Sequence, residues 1–325
     1  MASPTARSKR LCLLAALALL LLGAVSLFVG RYPLTLSGLL SGDAMQRKVF
    51  VTLRLSRTVV ALGGGFALGA AGFVYQTVFR NPLASPDVIG VASGASAGAA
   101  FGILFLGGAA AVTASAFAGA LCAVVTAIAL SGLDKSGKGG AIVLSGIAVH
   151  SLAQTALMAL KLAADPEREL ASIEYWIMGS LSGVSLDAIG VNLVLGAACV
   201  ALMFLLHRQA VLLSAGEGEA RMLGVSVGRV RLAVLLIATL AVSCVVSLTG
   251  LISFVGLLAP HGARRLAGDN RRGTMLLSGL LGGVVLCGAD ILARSAAASE
   301  LPVSLFTSLI GAPLLIHLIV RRRDV

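Results

Sequence analysis

The chain is dominated by apolar runs that are long enough to cross a lipid bilayer. Two of them, 188–206 and 232–248, contain no Asp, Glu, Lys, Arg or His. Over the 325 residues the mean hydropathy is +1.00 and only 12% of the residues are charged, which is about half the charged fraction of a soluble domain. Since about 20 apolar residues cross about 30 Å of hydrocarbon as a helix, the sequence predicts an all-α, polytopic membrane protein and excludes a water-soluble fold.

Ten apolar segments are predicted to be transmembrane helices of one domain that covers residues 1–325. Several of them are short or are broken by Pro and Gly, above all at 80–94, between the second and third. The basic segment 1–10 is interpreted as a cytoplasmic tail before a retained span, because no clear cleavage site follows the first apolar run. The approximate spans are 11–30, 57–79, 92–107, 110–131, 140–162, 188–206, 232–250, 252–266, 274–294 and 305–320.

Membrane topology explains the net charge of +11 better than nucleic-acid binding does. If both termini are cytoplasmic, 17 of the 25 Lys and Arg residues fall in cytoplasmic segments, including the three at 321–323. This distribution follows the positive-inside rule. The expected partner of these charges is the headgroup layer of membrane lipid, because no basic run interleaved with aromatic residues indicates nucleic acid.

Two segments of the sequence show the same features in the same order, as an internal repeat would. Each of 57–94 and 229–268 starts with basic residues, continues as an apolar span and ends in a Pro-containing break. Because the copies start five spans apart, at the second and seventh spans, they would have opposite orientations, which predicts the inverted repeat that is common in transporters. Glycines four residues apart, at 65 and 69 and again at 94, 98 and 102, predict close helix packing, either within the chain or across a dimer.

The residues do not indicate catalysis, a metal site or a bound cofactor. The five cysteines form no CxxC pattern and no zinc or disulfide framework is expected. Gly132, Gly137 and Lys138 resemble part of a phosphate loop, but Gly139 stands where a Ser or Thr must hold Mg²⁺. If transport by this chain uses ATP, another polypeptide must therefore hydrolyse it.

Ionisable residues inside predicted spans are candidates for a translocation path, because such residues are costly in hydrocarbon. His150 and His317 are the best placed of the four histidines. With Asp290 they would also be the candidate proton relays of an ion-coupled secondary transporter. That secondary transporter is the alternative function kept open here.

A polar, charged stretch, 213–231, interrupts the apolar second half of the chain. Ser214 is predicted to cap a short helix that has Glu217 in its first turn, and Gly224 is predicted to end it. A second short turn is expected up to Gly228. From the residues alone, this amphipathic helix-turn-helix is either a solvated loop or a docking surface for a soluble partner.

Two pairs of charged residues lie at the predicted outer ends of spans. Arg54 and Arg57 are three residues apart, whereas Asp290 and Arg294 are four apart on one helix and could pair with each other. The arginines at 54 and 57 either extend along the interface towards water or form a basic rim that attracts an acidic partner.

Four blocks of the sequence resemble the signature blocks of the FecCD-type permeases: 54–95, 212–225, 250–272 and 300–319. These permeases are the membrane subunits of type II ABC importers for iron-siderophores, haem and vitamin B12. The resemblance implies a non-enzymatic permease subunit of an ATP-driven importer in the bacterial cytoplasmic (inner) membrane. Its cargo would be an iron chelate (siderophore or haem) or cobalamin, without a choice among them.

The resemblance also implies partners. A second permease copy or a paralogue would complete a translocation path at the dimer interface, lined by the spans 140–162 and 305–320. Two ABC ATPase subunits would bind ATP at the cytoplasmic face, and a substrate-binding protein would dock on the outer face.

Site residues follow from the matching motifs. The arginines that would meet glutamates of the binding protein are Arg54, Arg57 and Arg294, although Ser56 replaces the proline usual in that motif. The element that couples the permease to its ATPase would cover 213–229. Its residues carried over by motif are Ser214, Gly216, Glu217, Glu219, Ala220, Arg221 and Gly224.

Overall fold

The computed structural model describes residues 4–30, 32–133, 141–184, 186–268, 270–297 and 299–321. Within them the chain is all-α, as predicted, and has no β-strand. The phosphate-loop-like residues Gly137 and Lys138, and the terminal Arg322 and Arg323, lie outside the described residues.

Fifteen α-helices follow one another along the described chain. Ten of them, α1, α4–α7, α9 and α12–α15, occupy the positions of the ten predicted spans, and the others are short connecting helices. In chain order they are α1 (Pro4–Phe28), α2 (Leu36–Leu40), α3 (Ala44–Val49), α4 (Ser56–Val78), α5 (Val91–Phe101), α6 (Ala109–Gly132), α7 (Ala141–Ala163), α8 (Glu169–Met178), α9 (Leu186–Leu205), α10 (His207–Ala215), α11 (Glu217–Met222), α12 (Val227–Thr249), α13 (Val255–Ala267), α14 (Arg272–Ser295) and α15 (Val303–Arg321).

Length separates these ten helices into two groups. Within the described residues, six helices are long and apolar enough to cross a membrane, or seven if α9 and α10, bent by 52°, form one span. The apolar stretches Val91–Leu106 and Val303–Ile316 are shorter, and α13 has 13 residues. The structure therefore bears out a bundle of many apolar helices, whereas the number of ten spans stays a prediction.

Contacts between helix ends define two faces of the bundle. The Cys12 thiol of α1 lies 3.4 Å from the carbonyl oxygen of Gly273, so α1 and α14 begin on the same side. At their other ends, the Arg294 guanidinium of α14 donates a hydrogen bond to the Ser26 hydroxyl of α1. We call the first side the N-terminal face and the second the opposite face.

Glycines allow α4 to pack directly against α14. A Cβ atom on Gly65 would lie 2.5 Å from the carbonyl oxygen of Gly282, and the Ser278 hydroxyl donates to the carbonyl of Gly69 at 2.7 Å. A Cβ atom on Gly94 of α5 would likewise lie 2.5 Å from a backbone oxygen of α6. The predicted close packing thus occurs within the chain, where small residues let helix backbones meet.

The first predicted Pro-containing break is present, but the second is misplaced: Pro260 lies inside α13, and the chain leaves the helix before it. After α4 the chain leaves the helix, forms a 3-10 turn at Pro86–Ile89 and enters α5. Between α12 and α13 it passes through Gly250 and Phe254, whose φ angles of 70° and 66° a regular helix does not contain. Each break interrupts a helical path inside the bundle.

The α4–α14 contact leads to a first prediction. We expect Gly65→Ala to lower the free energy of unfolding by about 1–3 kcal/mol, because the added methyl group overpacks a backbone contact that has no room to yield. The measurement is the thermal unfolding midpoint of the purified protein in detergent.

The matched control is Gly63→Ala on the same helix. A Cβ atom there would meet only the end of the Leu193 side chain, at 3.5 Å, while the intrinsic gain in helix propensity is the same at both sites. Equal midpoints for the two variants would contradict the packing explanation.

Candidate functional site

The polar stretch forms a compact projection that we call the foot, residues 207–226, comprising α10, α11 and the loop that leads to α12. Its inner side is anchored in the hydrophobic core through the buried residues Ala210, Leu213 and Ala220. Its tip is exposed: Met222 and Leu223 expose 82% and 63% of their surface. An anchored base with exposed apolar side chains at the tip is typical of a surface that a partner covers.

Glycines close α11 at both ends. Gly216 precedes it with φ 143° and ψ 152°, a conformation that is essentially restricted to glycine. Gly224 follows it with φ 81°, and its amide donates to the carbonyl of Arg221 at 2.9 Å. The prediction that Gly224 ends the helix is confirmed, because its left-handed conformation turns the chain back on the last turn.

Two details predicted for the foot are wrong. Ser214 does not cap a helix but lies in the last turn of α10, where its hydroxyl donates to the carbonyl of Val211 at 2.7 Å. No separate short turn ends at Gly228, because that residue lies in the first turn of α12. Glu219 and Arg221 are exposed on α11, and the side chain of Glu217 lies outside the described part of the chain.

An aromatic contact links the foot to α4. The ring of His207, the first residue of α10, stacks on Phe73 of α4 with 5.9 Å between ring centroids. The Arg264 guanidinium of α13 lies over the same Phe73 ring, 4.6 Å from its centroid, within the range of a cation–π interaction. Phe73, which lies near the N-terminal face, therefore connects α4 to both the foot and α13.

Hydrogen bonds fix Arg264 in this position. Its Nη2 donates to the Thr77 hydroxyl at 2.8 Å and to the carbonyl of Phe73 at 3.2 Å, and its Nη1 donates to Gln76. Its Nε donates to the side chain of Asn270 at 2.8 Å. A guanidinium that is bonded through all three of its nitrogens holds its partners in one geometry, so α4 and α13 are joined at this face. In the sequence Arg264 is only one of the cytoplasmic charges expected from topology, and no pattern there indicates this role.

The arginines at the opposite face form a buried ion-pair cluster. Arg57 Nε lies 2.6 Å from Asp290 Oδ1, and Arg57 Nη1 lies 2.9 Å from Glu300 Oε2. Arg294 Nη2 lies 3.3 Å from Asp290 Oδ2, which confirms the pairing expected four residues apart on one helix. We call Arg57, Asp290, Arg294 and Glu300 the arginine cluster.

Arg54 lies beside the cluster and makes different contacts. Its guanidinium donates to the carbonyl oxygens of Val29 and, at 3.2 Å, Tyr32, so it ties the start of the α4 region to the end of α1. A cavity of about 250 Å³ lies between Arg54, Arg57, Arg294 and Glu300. The structure thus brings the three predicted arginines together around one cavity.

Burial changes the interpretation of these arginines as an open rim. Arg54, Arg57 and Arg294 expose only 6%, 7% and 3% of their surface. These arginines therefore do not extend into water, and they do not form a freely exposed basic rim. Carboxylates of the same chain already compensate much of their charge. The spacing of 290 and 294 indicated one pair, but Glu300 could not be assigned to Arg57 across 243 residues of sequence.

The two predicted path helices differ in what the structure describes. His150 of α7 is exposed and lines a cavity of about 450 Å³. Position 317 lies in α15, but the side chain of His317 is outside the described part of the chain. Over the residues that are described, no group of three His, Cys, Asp or Glu side chains could hold a metal ion.

Taken with the fold, these features define a class of protein: a multi-pass membrane permease built from broken helices, with a foot at one face. The family model described as the FecCD transport family matches residues 18–321. The chain belongs to this family.

Relatives of known description agree with this membership. The chain is 38% identical to the cobalamin import system permease protein BtuC of Halobacterium salinarum over 281 residues. This alignment covers 84% of this chain and 73% of the relative. It is 34% identical to the hemin transport system permease protein HmuU of Yersinia pestis, over 87% of this chain and 86% of the relative.

A solved structure extends the likeness to the fold. It is described as an inward-facing conformation of a proposed metal-chelate type ABC transporter, and it shares 31% identity with this chain. The two structures superpose with a TM-score of 0.85 over 96% of this chain and 99% of the other.

The arginine cluster leads to a second prediction. We expect Asp290→Asn to lower the free energy of unfolding by about 3–5 kcal/mol, because it leaves the buried charges of Arg57 and Arg294 without their shared carboxylate. Thermal unfolding of the detergent-purified protein measures the change.

Glu174→Gln is the control for loss of a carboxylate. Glu174 pairs with Lys161 at 2.8 Å, but both side chains are partly exposed, and such pairs contribute about 0–1 kcal/mol. If Asp290→Asn costs no more than Glu174→Gln, the cluster does not stabilise the opposite face.

Proposed function

We propose that this chain is the permease subunit of an ATP-driven importer and that the foot receives the motion of a separate ATPase subunit. The observation that carries the proposal is the foot itself, a glycine-closed helix with a buried base and an exposed apolar tip. In the sequence the phosphate-loop-like segment is incomplete, because Gly139 stands where a Ser or Thr must hold Mg²⁺, so ATP use would need another polypeptide. Force applied at α11 reaches α4 and α13 through the His207–Phe73–Arg264 contact.

The N-terminal face, which carries the foot, is proposed to be cytoplasmic. The basic residues Arg208, Arg221, Arg229 and Arg231 belong to the foot or to the start of α12, and cytoplasmic segments carry the excess of Lys and Arg. Both termini are then cytoplasmic, and the arginine cluster faces the outside of the bacterial inner membrane.

A second permease, either another copy or a paralogue, is proposed to complete the path. Helices α7 and α15 present large apolar side chains to the outside of the single chain, as expected for surfaces covered by lipid or by a partner. The proposed path runs between these helices and their counterparts. The exposed apolar residues include Leu144, Ile147, Leu152, Met158 and Leu162 of α7 and Leu305, Leu309, Ile310 and Ile316 of α15.

The arginine cluster is proposed to receive a carboxylate of the substrate-binding protein. Together with Arg54, which lines the same cavity, its two arginines outnumber Asp290 and Glu300. Arg57 Nη2 and Arg294 Nε and Nη1 lack a hydrogen-bond partner in the described part of the chain. Unused guanidinium donors beside a cavity favour an incoming carboxylate. Because Glu300 already holds Arg57 Nη1, docking requires the incoming group to compete with it.

The proposed cargo is a metal chelate or corrinoid of the kind named for the relatives, cobalamin or hemin. Uptake should be measured with the ATPase and the substrate-binding protein encoded beside this permease, reconstituted in proteoliposomes. The cargo panel is cobalamin, hemin, a ferric siderophore and molybdate. Uptake that follows a proton gradient without ATP would overturn the importer assignment in favour of a secondary transporter.

A third prediction tests the foot. We expect Leu223→Arg to reduce co-purification with the ATPase at least about tenfold, because a charge then occupies an apolar contact that the partner must desolvate. The permease should still insert and elute as a single species, since Leu223 is exposed in the single chain.

The control is Leu133→Arg at the end of α6. Leu133 is at least as open, with 75% of its surface exposed against 63% for Leu223, but it lies outside the foot. The docking role fails if Leu223→Arg leaves ATPase binding at the wild-type level, or if both variants lose it equally.

A fourth prediction concerns the opposite face. We expect Glu300→Gln to strengthen binding of the substrate-binding protein by about two- to tenfold, because it frees Arg57 Nη1 and raises the local positive charge. The measurement is the dissociation constant at low and high salt, with Glu167→Gln as the control for an exposed carboxylate outside the cluster. Weaker or unchanged binding would show that the arginines are structural only.

A further inference from the structure

The two helix breaks meet in the middle of the bundle. A Cβ atom on Gly256, the second residue of α13, would lie 3.3 Å from the carbonyl oxygen of Leu68 and 3.6 Å from Cδ of Pro86. Leu68 is near the midpoint of α4, so the Pro86 turn and the start of α13 converge halfway between the two faces. In transporters, broken helices that meet at this depth commonly form binding sites.

A cavity of about 450 Å³ opens at this meeting point. Its apolar wall comes mainly from α12 and the 251–257 segment, whereas its polar lining comes from the first break, α5 and α7. The polar residues from these elements are Ser85, Asp87, Ser93, Ser96, His150, Gln154 and Lys161, and Ser253 belongs to the 251–257 segment. Phe254, which has positive φ, also lines it, and strained backbone of this kind concentrates at functional sites.

Three of these polar side chains are already engaged. The Ser93 and Ser96 hydroxyls donate to the backbone oxygens of Gly90 and Ala92, and Lys161 pairs with Glu174 at 2.8 Å. The Asp87 side chain, in contrast, is exposed to the cavity, and no residue in the described ranges donates a hydrogen bond to its carboxylate.

The neighbour of Asp87 across the cavity is α7. A Cβ atom on Gly90, three residues after Asp87, would lie 3.3 Å from the backbone nitrogen of His150. His150 and Asp87 line the same cavity, and Gln154 lies one turn further along α7. The sequence reading selected His150 but not Asp87, although a carboxylate within a membrane-embedded break is itself a signal of function.

We propose that Asp87, facing His150 and Gln154, forms a mid-bundle station that holds cationic or hydrogen-bond-donating groups of the cargo as it passes. This inference rests on the proposed transport function and adds a preference to it: ammonium, amide and hydroxyl groups are favoured at this point and anionic groups are disfavoured. The apolar wall contacts the uncharged surface of the cargo.

The test uses His150→Cys as a reporter in a variant whose five native cysteines are replaced. The purified permease in nanodiscs is labelled with a cationic trimethylammonium-ethyl and an anionic sulfonatoethyl methanethiosulfonate. Each rate is divided by the rate with a free thiol in solution. A unit charge about 8 Å away in water-like surroundings changes the cation-to-anion ratio about fivefold, and more in a less polar cavity.

We expect the normalised ratio to exceed one with Asp87 present and to fall at least about fivefold in Asp87→Asn. Asp87→Glu, which keeps the charge, should retain the preference, and Asp165→Asn, in the loop after α7, should not change it. If Asp87→Asn does not fold, the ratio measured with Asp87 in place still decides whether the preference exists.

An unreactive Cys at position 150 would overturn the proposal, because the cavity would then be closed to solutes. A ratio that Asp87→Asn leaves unchanged would overturn it as well. Neither labelling experiment needs ATP, an ATPase or a cargo, so a failure of the proposed importer function would be seen separately, in the uptake and co-purification measurements.

Discussion

The structure depends on the direct contact of α4 with its neighbours. In a bilayer no hydrophobic gain draws helices together, so close packing of small residues must do so. Gly65 and Gly69 bring α4 onto α14, and Gly72 brings it so near Gly256 of α13 that no side chain fits between them. A buried helix of this kind leaves its two ends as the places where charge can be arranged.

Those two ends carry different chemistry. At the opposite face Arg57 joins α4 to α14 through Asp290, whereas near the N-terminal face Phe73 and Thr77 join it to α10 and α13 through His207 and Arg264. Because one packed helix links both sets of contacts, displacement of the foot acts on a rigid body and not on a flexible loop. This is the kind of arrangement that rigid-body switching requires.

Hydropathy predicted where the helices lie, because long apolar runs have few alternatives in a membrane. It could not decide how many helices cross, since α5, α13 and the described apolar part of α15 are short. The glycine spacing predicted a close contact but not its partner, because the facing residues of α4 and α14 are more than 200 positions apart. Ser214 misled for a related reason: its hydroxyl is used within α10, whose extent the local pattern did not reveal.

The glycine closures of α11 have an evolutionary consequence. Its backbone turns are completed by bonds within the foot, such as that from the amide of Val225 to the carbonyl of Ala220 at 2.9 Å. The exposed side chains at 219 and 222 can therefore change without disturbing these backbone turns. A few substitutions on this surface can thus adapt it to a different ATPase subunit, while the membrane-embedded helices stay the same.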